Sequence, residues 1–365
     1  MSRIGVTFRV RSDAESIEAN AQAIAVEQSV EMPLGAIDDA HVLAEIVGRV
    51  EDIRDNADGT YRVHVSLAAE TTGFEAAQLI NMIFGNSSIH EHVTLEDADF
   101  PQAILDAFGG PNHGLDGLRK RCGAAGRAMT CSALKPQGLP VAGLAKLAGR
   151  FARGGVDFIK DDHGLADQTY SRFAERIPAC AEAVRQANTE TGGHTRYVPS
   201  LTGHLDKLRD QLRIARAEGI DTALIPPMVA GLPAFHAVVK EHPDFAFMAH
   251  PSMAGGGRIA SPFLFGKLFR LLGADATIFV NYGGRFSYPQ ETCTALAETA
   301  LRPWDGIKPC VPVPAGGMTL DRVEEMLDFY GRDVMLLIGG ALLETRERLT
   351  EETAAFMNKV AGYAA

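Results

Sequence analysis

The sequence Gly-Gly-Val-Asp-Phe-Ile-Lys-Asp-Asp-His-Gly at residues 154–164 decides the fold. Its apolar first half is typical of a buried β-strand, and a cation, two carboxylates and an imidazole follow without a break. Residues two apart on a strand point to the same side, so Lys160 and Asp162 are predicted to share a face, with His163 next as the chain turns. Carboxylates and imidazole converging at a strand exit suit a divalent cation. The alternative is a charged surface loop, although a solvated charge run seldom grows directly from an apolar strand.

The composition restricts the classes of function. The 365 residues predict one large domain or two domains. A formal net charge of -11 argues against nucleic acid and anionic membranes as partners. The five cysteines are an odd number without a Cys-x-x-Cys pair, which predicts reduced thiols instead of disulfides or a zinc site. Because there is no signal peptide after Met1 and no apolar run long enough to span a bilayer, we predict a cytoplasmic protein.

The region before Pro101 is predicted to be a small α+β domain. Its hydrophobic patterns give the order strand–helix–strand–strand–helix–strand, which is the ferredoxin-like order. An Asp-Gly turn signal at residues 58–59 separates the two central strands. The predicted strands are 4–10, 42–53, 61–68 and 93–95, and the predicted helices are 14–25 and 74–84.

After Pro101, short apolar strands alternate with helices, which predicts a (β/α)8 TIM barrel. We therefore predict an α/β protein with an N-terminal ferredoxin-like domain at residues 1–108 and a catalytic barrel at 109–365. The predicted barrel strands are 129–134, 156–159, 197–201, 222–225, 245–249, 277–280, 311–313 and 334–338. The predicted helices are 141–153, 170–191, 205–218, 234–241, 262–272, 290–301, 320–330 and 344–364.

Polar side chains follow several predicted barrel strands at the point where each strand ends. Lys135 follows the first strand, the cluster at 160–163 the second, His250 the fifth and Arg285 the sixth. Because active sites of such barrels lie at the C-terminal ends of the strands, we expect these groups to meet. The alternative for His250 is a hydrogen-bonded histidine without a catalytic role. Further candidates for the same end are His204 and Arg258, whereas His113 lies in the linker and is predicted to be structural.

Two glycine pairs follow the last two strands, Gly316-Gly317 and Gly339-Gly340. Barrels commonly bind phosphate at this position through backbone N–H groups that glycine leaves accessible. The alternative is that the glycines serve tight turns. We predict that all four bind a substrate phosphate, with positive charge supplied by Lys135, Lys160 and Arg285.

The segment at 154–162 resembles the metal-site signature of the RuBisCO large chain. Other segments resemble the same family, in the same order along the chain, and together they cover nearly its whole length. They are Phe-Gly-Asn at 84–86, Gly-Gly-Pro-Asn-His-Gly at 109–114, Leu-Lys-Pro-Gln-Gly-Leu at 134–139, Ala-His-Pro-Ser-Met at 249–253, Pro-Ala-Gly-Gly at 314–317 and Ile-Gly-Gly at 338–340.

The resemblance implies a metal site. It implies that CO2 carbamylates Lys160 to make a metal ligand and that Asp162 is the second ligand. His163 stands where the family has a glutamate. The expected cofactors are a divalent metal, Mg2+ in this family, and CO2 as the carbamate, although an imidazole moves the preference toward softer divalent metals.

The resemblance also implies roles for residues outside the metal site. Lys135 corresponds to an acid/base lysine and His250 to a catalytic histidine, and Arg285 is the nearest counterpart of the lysine on the family's mobile loop. Glu27 and Asn86 correspond to groups donated across a dimer interface. The implied assembly is a homodimer, or a higher assembly of dimers, with the active site at the subunit interface.

Several departures from the family pattern concern its second phosphate site. Pro251 replaces the arginine that holds that phosphate, and Ala315 replaces the neighbouring serine. Gln137 replaces a second lysine, and Pro33 lies near the position of a tryptophan that caps the first phosphate. The chain is therefore identified as a RuBisCO-like protein that binds one phosphate and does not fix carbon.

Three functions remain open at this point. The first is metal-dependent enolisation of a phosphorylated ketose; the resemblance implies an isomerase acting on 5-methylthioribulose 1-phosphate in sulfur salvage. The second is decarboxylation of a phosphorylated 3-oxo sugar acid, of the 3-oxo-isoapionate 4-phosphate type, through the same metal enediolate. The third, of another class, is a non-catalytic binding protein.

Overall fold

The computed structural model describes residues 2–363, and the chain forms two compact units. The first unit contains the chain up to Gly109 together with residues 253–264 and 305–307. The second contains residues 110–252 and 265–304 and the chain from Lys308 onward. Each unit is described separately below.

The first unit has a four-stranded antiparallel sheet in the order β2-β3-β1-β4, which confirms the ferredoxin-like prediction. Alternate residues of the central strand, from Ile4 to Val10, are fully buried, because the sheet has one face toward the core. The strands are β1 (Arg3–Arg11), β2 (Arg49–Asp55), β3 (Thr60–Ala68) and β4 (Val93–Asp99), and the helices are α1 (Ile17–Glu27), α2 (Ala76–Phe84) and α3 (Gln102–Phe108).

The predicted strand at 42–53 is wrong in its first half. Residues Val42–Ile46 form a π-helical turn, and the strand begins only at Arg49. The Asp39 carboxylate accepts hydrogen bonds from the backbone N–H groups of His41 and Val42 at 2.8 and 3.0 Å. These bonds satisfy N–H groups at the start of a helical turn, so the local capping outweighs the strand-like alternation of the apolar residues.

The second unit is an eight-stranded parallel barrel, as predicted. Its strands are hydrogen-bonded in the order β7-β6-β5-β12-β11-β10-β9-β8. A parallel bridge between Ser200 and Leu224, beside β7 and β8, closes the ring. The strands are β5 (Met129–Leu134), β6 (Phe158–Asp161), β7 (Arg196–Val198), β8 (Thr222–Ile225), β9 (Ala246–Ala249), β10 (Ala276–Val280), β11 (Val311–Ala315) and β12 (Met335–Leu337).

Helices connect the barrel strands at nearly the predicted positions. One predicted helix, 262–272, consists of a π-helical segment, Pro262–Leu268, followed by a short α-helix. Short 3-10 turns, Leu320–Arg322 and Arg346–Arg348, precede the last two long helices. The α-helices are α4 (Gly114–Cys122), α5 (Val141–Arg153), α6 (Phe173–Thr191), α7 (Leu205–Ala217), α8 (Pro227–Ala230), α9 (Leu232–Glu241), α10 (Phe269–Leu271), α11 (Gln290–Leu301), α12 (Val323–Tyr330), α13 (Gly340–Leu343) and α14 (Leu349–Ala361).

Helix α4 covers the N-terminal end of the barrel. Its apolar residues Leu115 and Leu118 belong to the same buried cluster as the inward side chains of the barrel strands. The Asp275 carboxylate, just before β10, accepts hydrogen bonds from the backbone N–H groups of His113 and Gly114, both at 2.6 Å. These bonds attach the linker backbone to the N-terminal end of the barrel, whereas ligand sites of such barrels lie at the opposite, C-terminal end. Across residues 2–363, no helix is both long and apolar enough to cross a bilayer.

Candidate active site

A cavity of about 600 Å³ lies at the C-terminal ends of the barrel strands. Five of its polar side chains come from the ends of three strands, β5, β6 and β9, and we call them the polar wall. The polar wall consists of Lys135, Lys160, Asp162, His163 and His250. The four glycines of the two predicted phosphate turns, 316–317 and 339–340, also line the cavity.

The end of β6 divides its charged residues between two sides. Lys160 and Asp162 line the cavity, whereas the Asp161 side chain is fully buried on the other side. Asp161 accepts hydrogen bonds from Tyr197 Oη at 2.7 Å and from Arg176 Nε at 3.2 Å. Burial alone raises the pKa of Asp161, and the charge of the fully buried Arg176 opposes this. This buried network fixes the strand end from which the two cavity residues project.

Asp162 holds the polar wall together. Its Oδ1 accepts a hydrogen bond from Lys135 Nζ at 2.7 Å and another from the backbone N–H of His163 at 3.1 Å, and it lies 3.3 Å from His163 Nδ1. Burial raises the pKa of Asp162, but the hydrogen bonds from His163 and Lys135 outweigh it, and the pKa falls below its usual range. Asp162 is therefore an anion at neutral pH.

Lys160 is 3% exposed, and its Nζ donates a hydrogen bond to the backbone carbonyl of Asp161 at 3.0 Å. Burial lowers its pKa below that of an ordinary lysine, since an ammonium is poorly solvated there; the charge of Lys135 acts in the same direction, and that of Asp162 opposes it. A buried lysine with a lowered pKa is a better nucleophile than a solvated one, because more of it is the free amine.

His250 stacks on His163, with ring centroids 4.3 Å apart and an interplanar angle of 14°. The backbone N–H of Ser252 donates to His250 Nδ1 at 3.2 Å, and Ser252 Oγ lies 2.8 Å from the same nitrogen. Burial, and then the charges of Lys160 and His163, lower the pKa of His250 to about 2. The ring is neutral at pH 7, and because Nδ1 accepts a hydrogen bond, the proton is on Nε2. His250 is thus a hydrogen-bond donor at the cavity.

The donor set fits a divalent cation only if Lys160 is modified. Within residues 2–363, no three His, Cys, Asp or Glu side chains are grouped so that they could hold a metal ion. Asp162 and His163, which lie within three residues of Lys160 along the chain, have ordinary ligand atoms, and a carbamate on Lys160 would add oxygen ligands. The buried amine of Lys160 fits this reaction, because CO2 is attacked by the uncharged form of lysine.

The two glycine turns differ in how tightly they are packed. Gly317 has a φ of 66°, and a Cβ there would lie 2.7 Å from the Gly283 carbonyl oxygen, so this turn requires glycine for its own backbone. A Cβ on Gly339 or Gly340 would meet no atom within 4 Å. Glycine at this second turn leaves room beside the backbone for a ligand.

Other predicted residues lie elsewhere. Arg285 does not line the cavity. Its guanidinium lies 4.8 Å from the ring centroid of Phe286, and Phe286 is a lining residue. In the first unit, Asn86 Nδ2 donates to Glu27 Oε1 at 2.8 Å, so these two predicted residues lie together. Arg258 donates to the backbone carbonyl of Val93 at 3.1 Å within that unit.

The cavity also contains residues that sequence reasoning missed. Phe286, Met318 and Glu344 all line it. Glu344 adds a carboxylate near the second glycine turn, since its backbone N–H bonds to the Gly340 carbonyl at 2.9 Å. The Phe286 side chain is 69% exposed, and an aromatic residue within the Gly-Gly-Arg-Phe loop after β10 is the signal that could have identified it.

A ferredoxin-like unit, a parallel barrel and a lysine–carboxylate–histidine cavity define the RuBisCO type of protein. Residues 114–345 match the family described as ribulose bisphosphate carboxylase large chain, catalytic domain. The chain is 60% identical to the 5-methylthioribulose-1-phosphate isomerase of Rhodospirillum rubrum, over 99% of this chain and 97% of the relative. It is 54% identical to ribulose bisphosphate carboxylase-like protein 1 of Rhodopseudomonas palustris, over 99% and 98% of the two chains.

A solved structure of a Rubisco-like protein from Rhodopseudomonas palustris is 52% identical in sequence. It superposes with a TM-score of 0.93 and covers 100% of this chain and 99% of the other. The chain belongs to the RuBisCO large-chain family, and within it to the RuBisCO-like proteins.

Proposed function

We propose that the protein is a metal-dependent isomerase of a phosphorylated ketose, 5-methylthioribulose 1-phosphate. The observation that carries the proposal is the convergence of the polar wall and the two glycine turns on one cavity. A relative of 60% identity that covers almost the whole chain is named for this activity. The chemistry required is removal of a proton next to a ketone and its return to another carbon.

The proposed cofactors are a divalent cation, Mg2+ or a softer metal, and CO2 as a carbamate on Lys160. Asp162, His163 and the carbamate would hold the cation. When bound, a divalent cation at this place supplies charge stabilisation for the oxygens of an enediolate. Carbamylation adds CO2 to the Lys160 amine and releases one proton to the solvent.

The remaining polar groups are assigned to proton transfer. A carbamate on Lys160 would supply the base, and Lys135, whose ammonium donates to Asp162 at 2.7 Å, would return a proton to the substrate. His250, neutral with its proton on Nε2, donates a hydrogen bond to the oxygen that becomes negative. These contacts favour the enediolate over the ketone, which is the condition for acceleration of the chemical step.

We assign the substrate phosphate to the two glycine turns. The Gly339 and Gly340 backbone has open space beside it, and Lys135 contributes positive charge to the cavity. The carboxylate of Glu344 repels anions, so it limits how much negative charge a bound substrate can bring to this site. Pro251 and Ala315 offer no hydrogen-bonding side chain for a second phosphate, so we expect a monophosphate substrate and no carbon fixation.

We also propose a cytoplasmic homodimer, or an assembly of such dimers. In that assembly the hydrogen-bonded pair of Glu27 and Asn86 would serve the cavity of the neighbouring subunit. Its partners would be the phosphorylated sugar and a second copy of the chain, with no nucleic acid and no membrane.

The test is proton NMR of 5-methylthioribulose 1-phosphate in D2O with the protein, bicarbonate and divalent metal. We expect loss of an α-proton signal and appearance of an isomer, while labelled bicarbonate with ribulose 1,5-bisphosphate gives no fixed carbon. The absence of exchange from any phosphorylated ketose would contradict the proposal. Release of CO2 from a phosphorylated 3-oxo sugar acid would then indicate the decarboxylase. No activity in either assay would indicate the non-catalytic binding protein.

A further inference from the structure

The cavity has a second, apolar wall, which consists of Ile278, Phe286 and Met318. We infer that this apolar wall binds the uncharged alkylthio substituent of the substrate, and that Phe286 determines the selectivity for it. The inference rests on the proposed function, because it names the group that the isomerase recognises.

The polar residue at the end of β10 is turned away from the cavity. Asn281 is fully buried; its Oδ1 accepts a hydrogen bond from Tyr330 Oη at 2.7 Å, and its Nδ2 lies 3.4 and 3.2 Å from the sulfur atoms of Met318 and Met326. Strand β10 and the loop after it therefore contribute only Ile278 and Phe286 to the cavity. Neither of these two side chains offers a polar group for a second phosphate.

Phe286 is held by its loop in spite of its exposure. The Gly283 N–H donates to Ser287 Oγ at 2.9 Å, which closes the loop around residues 284–286. Arg322 connects this loop with the first glycine turn by donating to the carbonyls of Tyr282 at 3.4 Å and Gly317 at 2.8 Å. Because these bonds fix the loop backbone, the loop loses little conformational entropy when a ligand binds against Phe286.

An exposed phenylalanine at a polar cavity is unfavourable in the free protein, and a bound apolar group would remove it from water. A thioether fits in particular, since sulfur makes favourable contacts with aromatic rings such as that of Phe286. A phosphate at this position would lose its hydration without gaining a partner from the wall. The guanidinium of Arg285 lies over the Phe286 ring, and Arg285 does not line the cavity.

The test is calorimetric binding of two sugar alcohols that cannot enolise, 5-methylthioribitol 1-phosphate and ribitol 1-phosphate. Wild-type protein should bind the alkylthio ligand about tenfold more tightly, as expected for burial of a group of this size. Phe286→Ala should reduce this ratio toward one, mainly by weakening the alkylthio ligand, and Phe286→Leu should retain most of it. In kinetics, Phe286→Ala should raise KM more than it lowers kcat.

Val229→Ala is the control, since Val229 is 47% exposed on α8 and is not among the cavity residues. Equal affinity of wild-type protein for the two sugar alcohols, or an unchanged ratio in folded Phe286→Ala, would overturn the inference. Tighter binding of ribulose 1,5-bisphosphate than of either monophosphate would also overturn it. Because these ligands do not react, the result is independent of the exchange assay that tests the isomerase, so the two proposals can fail separately.

Discussion

The cavity has two sides that are built differently. One is the polar wall, and the other is formed by the apolar wall and the glycine turns. The polar wall projects from strand ends, and its charged groups bond to one another, as Lys135 and Asp162 do at 2.7 Å. The opposite side consists largely of loop backbone and of Phe286, which is 69% exposed. In the proposed function, chemistry that needs fixed distances is therefore assigned to the barrel strands, and recognition of the substrate's ends is assigned to loops, where substitution changes specificity at little risk to the fold.

The largest effect is expected from the polar wall. Lys160→Ala removes the only lysine buried within it, and with it the proposed carbamate, so proton exchange should fall at least about 1,000-fold, equivalent to more than about 4 kcal/mol in the barrier. Lys146→Ala, an exposed lysine on α5, is the matched control and should exchange protons at the wild-type rate. NMR exchange rates measure both. Near-normal proton exchange in Lys160→Ala would show that the polar wall does not carry out the proton transfer.

The next largest effect is expected on stability, from the buried network around Asp161 that fixes the end of β6. Asp161→Asn leaves the buried Arg176 without its counter-charge, which should lower the free energy of unfolding by about 3–5 kcal/mol. Asp52→Asn removes a carboxylate from an exposed ion pair with Arg54 and should have almost no effect. Urea unfolding measures both variants. Equal stability of the two would show that the network does not fix the end of β6.

The two glycine turns should respond differently to the same substitution. Gly317→Ala forces a side chain into a left-handed conformation against the Gly283 carbonyl, so we expect it to destabilise the fold by about 1–2 kcal/mol or more. Gly340→Ala meets no protein atom and should leave the melting temperature unchanged while it raises KM for the phosphate substrate about tenfold. If Gly340→Ala has an unchanged KM, the phosphate is bound elsewhere.

The smallest effect should be a change in metal preference. His163→Glu replaces an imidazole with a carboxylate beside Asp162, so the affinity for Mg2+ should increase severalfold relative to that for Zn2+. Isothermal titration of each metal in the presence of bicarbonate measures this without reference to activity. A lower Mg2+ to Zn2+ affinity ratio in the variant would remove His163 from the proposed ligand set.

Most of the architecture could be predicted from the sequence, because parallel barrel strands are short apolar runs between amphipathic helices. The errors concern where two of the strands begin or end. Asp39 caps a helical turn in a region with the apolar alternation of a strand, and β6 continues through Lys160 and Asp161 because their backbones pair with neighbouring strands. The strand was predicted to end at residue 159, before the first charged side chain, but it continues to Asp161.

The site was predictable as far as it lies on strands. The position of each strand end fixes which residues reach the cavity, so Lys135, Lys160, Asp162 and His250 could be named together. Loop residues have no such rule: Asn281, directly after β10, is turned into the core, whereas Phe286 further along the same loop reaches the cavity. Side-chain direction in a loop depends on hydrogen bonds such as that from Gly283 to Ser287, which no periodicity encodes.

The central claim is that the polar wall serves the chemistry while the opposite side of the cavity binds the ends of the substrate. Its most direct test is a crystal structure with bicarbonate, a divalent metal and 5-methylthioribitol 1-phosphate. We predict the phosphate at the glycine turns, the sugar oxygens beside Asp162 and a carbamylated Lys160, and the methylthio group against Phe286. A ligand bound in the reverse direction, with its phosphate against Phe286 or with Lys160 unmodified and far from the sugar, would contradict the account.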